Sequence, residues 1–226
     1  MAVFSLIKFT LHEYYLATGF ICEALTVCLF IFLFSDHYWL MKAFDIYFGL
    51  GMFAVTASFL TAYRIAGREA NPRIYIMLTK GVSRREYLLA KLAAAFIVCA
   101  AMITALFALG YYLCDVKSQF AFFEALARLS PIYLTALVTA AATLFFSKIV
   151  RDNIVAALIV IIFSFAQPPG FLNFMLPPLQ QLVKMSFGDI TAYKAVYIFW
   201  GLFFIAAFFA AAVRVFEKRE LDFDKN

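Results

Sequence analysis

Long apolar runs, cut by short polar segments, organise this chain. Six runs stand out, over residues 16–34, 44–63, 88–113, 132–146, 154–166 and 196–213. A helix needs about 20 mostly apolar residues to cross a bilayer. The fourth and fifth runs fall short and are expected to extend by a few residues at each end. The pattern predicts an all-α membrane protein with six transmembrane helices. Ahead of the first run, residues 3–15 read as an amphipathic helix. Phe4, Ile7, Leu11 and Tyr14 fall on one stripe, and Ser5, Lys8 and His12 on the other. Such a helix can lie in the membrane interface, so residues 1–16 are assigned to an interfacial helix.

Composition supports lipid as the solvent. The chain has 226 residues, 65% of them hydrophobic, including 29 Phe, and only 15% charged. A soluble domain is nearer half apolar and a quarter charged. No internal repeat, linker or soluble domain interrupts the pattern, so residues 1–226 are expected to form one membrane domain. The first run does not read as a cleavable signal. Only Lys8 precedes it, and no small-residue cleavage site follows. Cys22, Cys28, Cys99 and Cys114 lie in or at the ends of runs, with no metal-site spacing and no disulfide framework. They read as small apolar packing residues.

Charge gives the orientation. Lys and Arg favour the cytoplasmic side of short loops. With the N-terminus inside, 14 of the 19 cations fall on cytoplasmic segments and 5 on outer ones. Both termini are therefore expected in the cytoplasm, as is the loop between the second and third runs. The net charge of +5 is mostly this topology signal, with some attraction for anionic membrane lipids. It does not imply nucleic acid.

That loop, residues 64–87, is the most basic stretch of the chain. Asn71 is a good N-cap, Pro72 suits the first helical position, and Gly81 can end the helix in a left-handed conformation. A short amphipathic helix over 72–80 follows, with Ile74, Met77 and Leu78 on one face. Ser83-Arg84-Arg85-Glu86 is a capping-box pattern that should start the third apolar helix. A helix held by caps between two spans is shaped either to dock a soluble partner or to anchor on headgroups. On the outer side, residues 167–192 carry four prolines yet remain apolar through Phe171, Leu172, Phe174, Met175 and Leu176. One or two short helices dipping into the outer leaflet, or an interfacial cap, are expected there.

Enzymatic chemistry is thin. No phosphate-binding glycine loop, His-Glu-x-x-His, Cys-x-x-Cys or Gly-x-Ser-x-Gly occurs. His12 and His37 both lie outside mid-span positions, and no metal site is expected. Intramembrane charge is a functional hypothesis by default. Glu23, a short way into the first run, is the candidate, through pairing with a neighbouring span or contact with substrate. Asp45 lies near the outer edge of the second run and is expected to be solvated. A lipid-modifying enzyme would need a carboxylate or histidine cluster at one interface, and none is apparent.

The stretch "REANPRIYIMLTKGVSRREYLLAKLAAA", residues 68–95, resembles the segment between spans two and three of ABC-2 type permeases, the membrane subunits of exporter-type ABC transporters. Glu69, the helix over 72–80, Ser83-Arg84 and Lys91 carry the match. Gly81-Val82 stands where that family often has a proline. "KGVSRRE" is also similar to the loop of FtsX-like permeases, whose large extracytoplasmic domain this chain lacks. The resemblance implies a permease that binds no cofactor itself, with ATP and Mg used by a separate dimeric ATPase subunit. It implies a second permease chain, identical or homologous, and a place in a bacterial inner or plasma membrane. The helix over 72–80 would be the coupling helix. Tyr75, Met77 and Leu78 would make the apolar docking contact, and Arg73, Arg84 and Arg85 charge-assisted pairs. A scaffold subunit of a larger membrane complex is the competing class.

Overall fold

The computed structural model describes residues 2–16, 19–34, 43–67, 82–113, 116–166, 171–188 and 192–218. Every regular element among them is a helix. Among the described residues four helices are long and apolar enough to cross a membrane. They are α3 (Ala43–Gly67), α4 (Arg84–Leu113), the joined pair α6 (Phe122–Ala127) and α7 (Ser130–Phe146), and α11 (Ala192–Lys218). A single turn, α5 (Val116–Gln119), precedes α6.

The other two predicted runs give shorter helices. The first gives α2 (Gly19–Phe34), with α1 (Ala2–Leu16) ahead of it. The fifth gives α8 (Ile154–Ala166), 13 residues long.

α7 is the spine of the bundle. It touches α3, α4, α8 and α11, and also α10 (Leu179–Met185). Pro131 sits in its first turn, where a missing N–H costs nothing. Ala136, Ala140, Ala141 and Ala142 are buried and let neighbouring backbones approach closely. Three buried threonines fold their hydroxyls onto their own helix. Thr135 donates to Pro131 O at 2.9 Å, Thr139 to Thr135 O at 2.9 Å, and Thr143 to Thr139 O at 2.8 Å. No hydroxyl on this face is left orphaned in apolar surroundings.

A tight turn joins α7 to α8. The amides of Val150, Arg151 and Asp152 all donate to Ser147 O. Asp152 takes the left-handed backbone (φ 53°), which aspartate tolerates better than most residues. Asn153 Oδ1 then caps α8 by accepting from the Ala156 amide at 3.2 Å.

Side-chain contacts fix the helix directions. Tyr47 donates from its hydroxyl to Ala125 O at 2.8 Å, so α3 and the α6–α7 pair start at the same end. Gly110 lies against Ile46, so α4 runs antiparallel to α3. Arg84 reaches the carbonyls of Phe216 and Glu217, so α11 ends where α4 begins. α7 and α11 therefore run the same way, and the chain between them must return. α8 begins that return. α9 (Leu172–Met175) and α10 complete it, and Gly188 O accepts from Arg128 at 3.3 Å at the Tyr47 end.

α10 is buried in protein. Leu179, Leu182, Val183 and Met185 pack among α3, α7, α8 and α11. Gly51 makes this possible, because a Cβ built there would come within 2.6 Å of Val183 Cγ2.

α1 forms where the pattern predicts but buries a different face. Leu6, Thr10 and Tyr14 face inward, while Phe4 is 76% exposed. The helix leans on α4. Its inner seam is thus set by a protein neighbour: it keeps Tyr14 and, partly, Leu11 of the 4–7–11–14 stripe, adds Leu6 and Thr10, and leaves Phe4 out, while Ser5, Lys8 and His12 are exposed as expected.

Candidate functional site

Polar side chains gather at two places toward the same end of the bundle. The first is the junction of α4 and α11. Ser83 and Glu86 form the reciprocal box that the sequence suggests. The Ser83 amide and hydroxyl donate to Glu86 Oε2 at 3.0 and 2.9 Å, and the Glu86 amide donates to Ser83 Oγ at 3.2 Å. This fixes where α4 starts and so where its next two side chains stand.

Arg84 turns to the last helix. Its guanidinium donates to Phe216 O and, at 3.0 Å, to Glu217 O, and it lies over the Phe216 ring at 5.4 Å. Those carbonyls belong to the last turn of α11 and have no partner within the helix. A cation there also meets the negative end of the helix dipole. Arg85 pairs with the Glu217 carboxylate at 2.9 Å. Tyr87 stacks on Phe216 at 6.3 Å, and Lys91 is buried over the Tyr87 ring at 5.3 Å. Both sequence candidates on α4 are therefore engaged with α11. Arg73, Tyr75, Met77 and Leu78, with Glu69, lie outside the described residues. Glu217 and Phe216 were not foreseen as partners.

The second place is a cavity of ≈ 200 Å³ bounded by α1, α2, α3 and α4. Glu23, in the second turn of α2, lines it together with Tyr14, Thr61, Arg64 and Met102. Arg64 belongs to the last turn of α3. The hydroxyls of Tyr14 and Tyr15 hydrogen-bond to the Glu23 carboxylate, that of Tyr15 to Oε2 at 3.5 Å. Burial, with the neighbouring Glu23 carboxylate second, pushes the Tyr14 phenol up to about 12. Burial and then Glu23 also raise Tyr15. Both phenols keep their protons at neutral pH and serve as donors. Arg64 adds an attraction for the carboxylate and lies 5.7 Å from the Tyr14 ring centre.

Glu23 thus has Tyr15 of α1 as a hydrogen-bond partner and Arg64 of α3 near enough to attract it. Its partners could have been sought in the sequence. Antiparallel neighbours bring the last turn of one apolar helix level with the first turns of the other, and Arg64 is the cation there. Comparison with protein-family models and with characterised proteins gives no match to this chain.

Proposed function

We propose that this chain is the six-span permease subunit of an ABC-2 type transporter, with both termini cytoplasmic and energy supplied by a separate ATPase. One observation carries the reading. The N-terminal end of α4, where the resemblance places the exit of the coupling segment, is clamped onto the C-terminal end of α11 by Arg84 and Arg85. A push on residues 72–80 would reach α4 across the Ser83–Glu86 box. It would pass to α11 through two guanidinium contacts and the Tyr87–Phe216 stack. α2 and α8 give two further passes. This matches alternating directions of the chain from α2 to α11.

In this reading Tyr75, Met77 and Leu78 fill an apolar groove on the ATPase. ATP and Mg are used by that subunit alone. α11 presents a broad apolar flank to lipid or to a second permease chain, with Phe199 and Phe203 outermost. The location is a bacterial inner or plasma membrane.

Copurification tests this. The full-length chain should bring down a stoichiometric ATPase subunit from its native membrane, and Met77→Glu or Leu78→Glu should abolish the association. A wild-type chain that purifies intact with no ATPase overturns the proposal in favour of a scaffold subunit.

A further inference from the structure

The cavity beside Glu23 sorts its polar and apolar groups. Glu23 Oε1 and Arg64 Nη1 are buried in the wall itself, out of reach of anything in the space. The Tyr15 hydroxyl is bonded to Glu23, and Tyr14 to Thr61. What faces the space is mostly hydrocarbon, from Leu25 on α2, Ala57 and Leu60 on α3, and Met102 on α4. A space of ≈ 200 Å³ with such walls stays dry, because a water inside it would lack polar partners.

The space is not closed. Leu25 and Leu60 stand at its rim and are 63% and 42% exposed. Ile21 and Tyr63 continue that exposed apolar flank along α2 and α3. Size decides what can enter from there. One turn of a helix, about 10 Å across and about 5.4 Å high, sweeps about 400 Å³, so no partner helix fits. A single methylene chain does fit, and it gives the lining the van der Waals partners that an empty space denies it. α2 gains as well. Among the described residues it touches α1, α3 and α4 only lightly, and the cavity lies between it and the other three.

We propose that one acyl chain of a membrane phospholipid lies in this cavity, between α2 and the α3–α4 pair, and seats α2 on the bundle. The headgroup stays outside and is not read. The proposal rests on the protein lying in a bilayer and needs no ATPase partner.

Photolabelling of the full-length protein in liposomes tests the site, with phosphatidylcholine that carries a diazirine midway along one acyl chain. Phe199 and Phe203, on the open flank of α11, report contact with the bilayer in general. Ala57 and Met102 are 1% and 7% exposed, so a label reaches them only from inside the cavity. Label at Ala57 or Met102, besides that on α11, is expected. Ala57→Leu should fill the space and remove the Met102 label while the α11 labels stay. A second measurement needs no variant: stripping lipid in detergent should raise hydrogen exchange across α2, and phosphatidylcholine or phosphatidylglycerol should restore its protection equally. Label on α11 with none at Ala57 or Met102 overturns the proposal and leaves the bilayer reading intact. No label on α11 overturns both. Restoration by only one of the two lipids also overturns the proposal, because a headgroup would then be what is recognised.

Discussion

α7 and α11 are both apolar and run the same way, yet they live in opposite surroundings. In the α6–α7 pair, 72% of the most apolar stretch is buried inside the protein, and in α11 only 17% is. The buried helix is built from alanine and self-bonded threonine. The outer one carries Phe199, Leu202 and Phe203 on an open face. In water the more apolar surface would be the core. In a bilayer lipid is as apolar as leucine, so close approach and not apolarity marks the protein interior. α11 packs along α7 through Gly201 against Leu134 and Phe208 against Phe145 and Phe146, and its C-terminal end is engaged by Arg84 and Arg85.

The largest expected contrast comes from one substitution made on each helix. Leu144→Ala, at a site 3% exposed, should cost about 2–5 kcal/mol in detergent unfolding. Leu202→Ala, at a site 48% exposed, should stay within about 0.5 kcal/mol. Similar losses at both would mean that α11 is buried against a second chain, and the Leu202 loss would then depend on protein concentration.

A smaller effect probes how the spine and its neighbours close on α10. Gly51→Ala should cost about 1–3 kcal/mol through overpacking against Val183. Val183→Ala in the same chain should recover most of it, as measured by the unfolding midpoint. Failure of the rescue would place the strain elsewhere in α3.

The smallest effect is at the clamp. Arg85 and Glu217 are 71% and 40% exposed, so Glu217→Gln should cost about 0.2–1 kcal/mol and should matter less at high salt. Hydrogen exchange confined to the last turn of α11 is the sensitive readout. A global destabilisation by this change would contradict the picture of a helix held mainly by its other contacts.

Much of the local structure was legible in the sequence. Ser83 and Glu86 cap α4 as their spacing suggests, because a capping box depends only on residues three apart. Pro131 opens α7, and the range of α1 is close to its apolar pattern. The inward face of α1 was legible only in part, through Tyr14 and the exposed Ser5, Lys8 and His12. Leu6, Thr10 and Tyr14 are chosen by contact with α4, and neighbouring helices leave no periodic trace on the segment they cover. Glu23 stood out as a charge in an apolar run, but Tyr15 and Arg64 become its neighbours only through the packing of α1 to α4. The prolines around α10 read as a break in the pattern. Its burial followed from Gly51, a residue far away in the chain that carries no signal of its own.

By itself, then, the sequence determined the helical, strongly apolar character of the chain, with helices long enough to cross a bilayer, and where most helices start. Those properties rest on local hydrogen bonds and on the free energy of moving apolar residues from water to lipid. Tertiary structure decided which helix is the spine, which face is the seam, and which charges meet. Those choices depend on close packing between segments distant in sequence, and in lipid no hydrophobic pattern distinguishes a buried face from an exposed one.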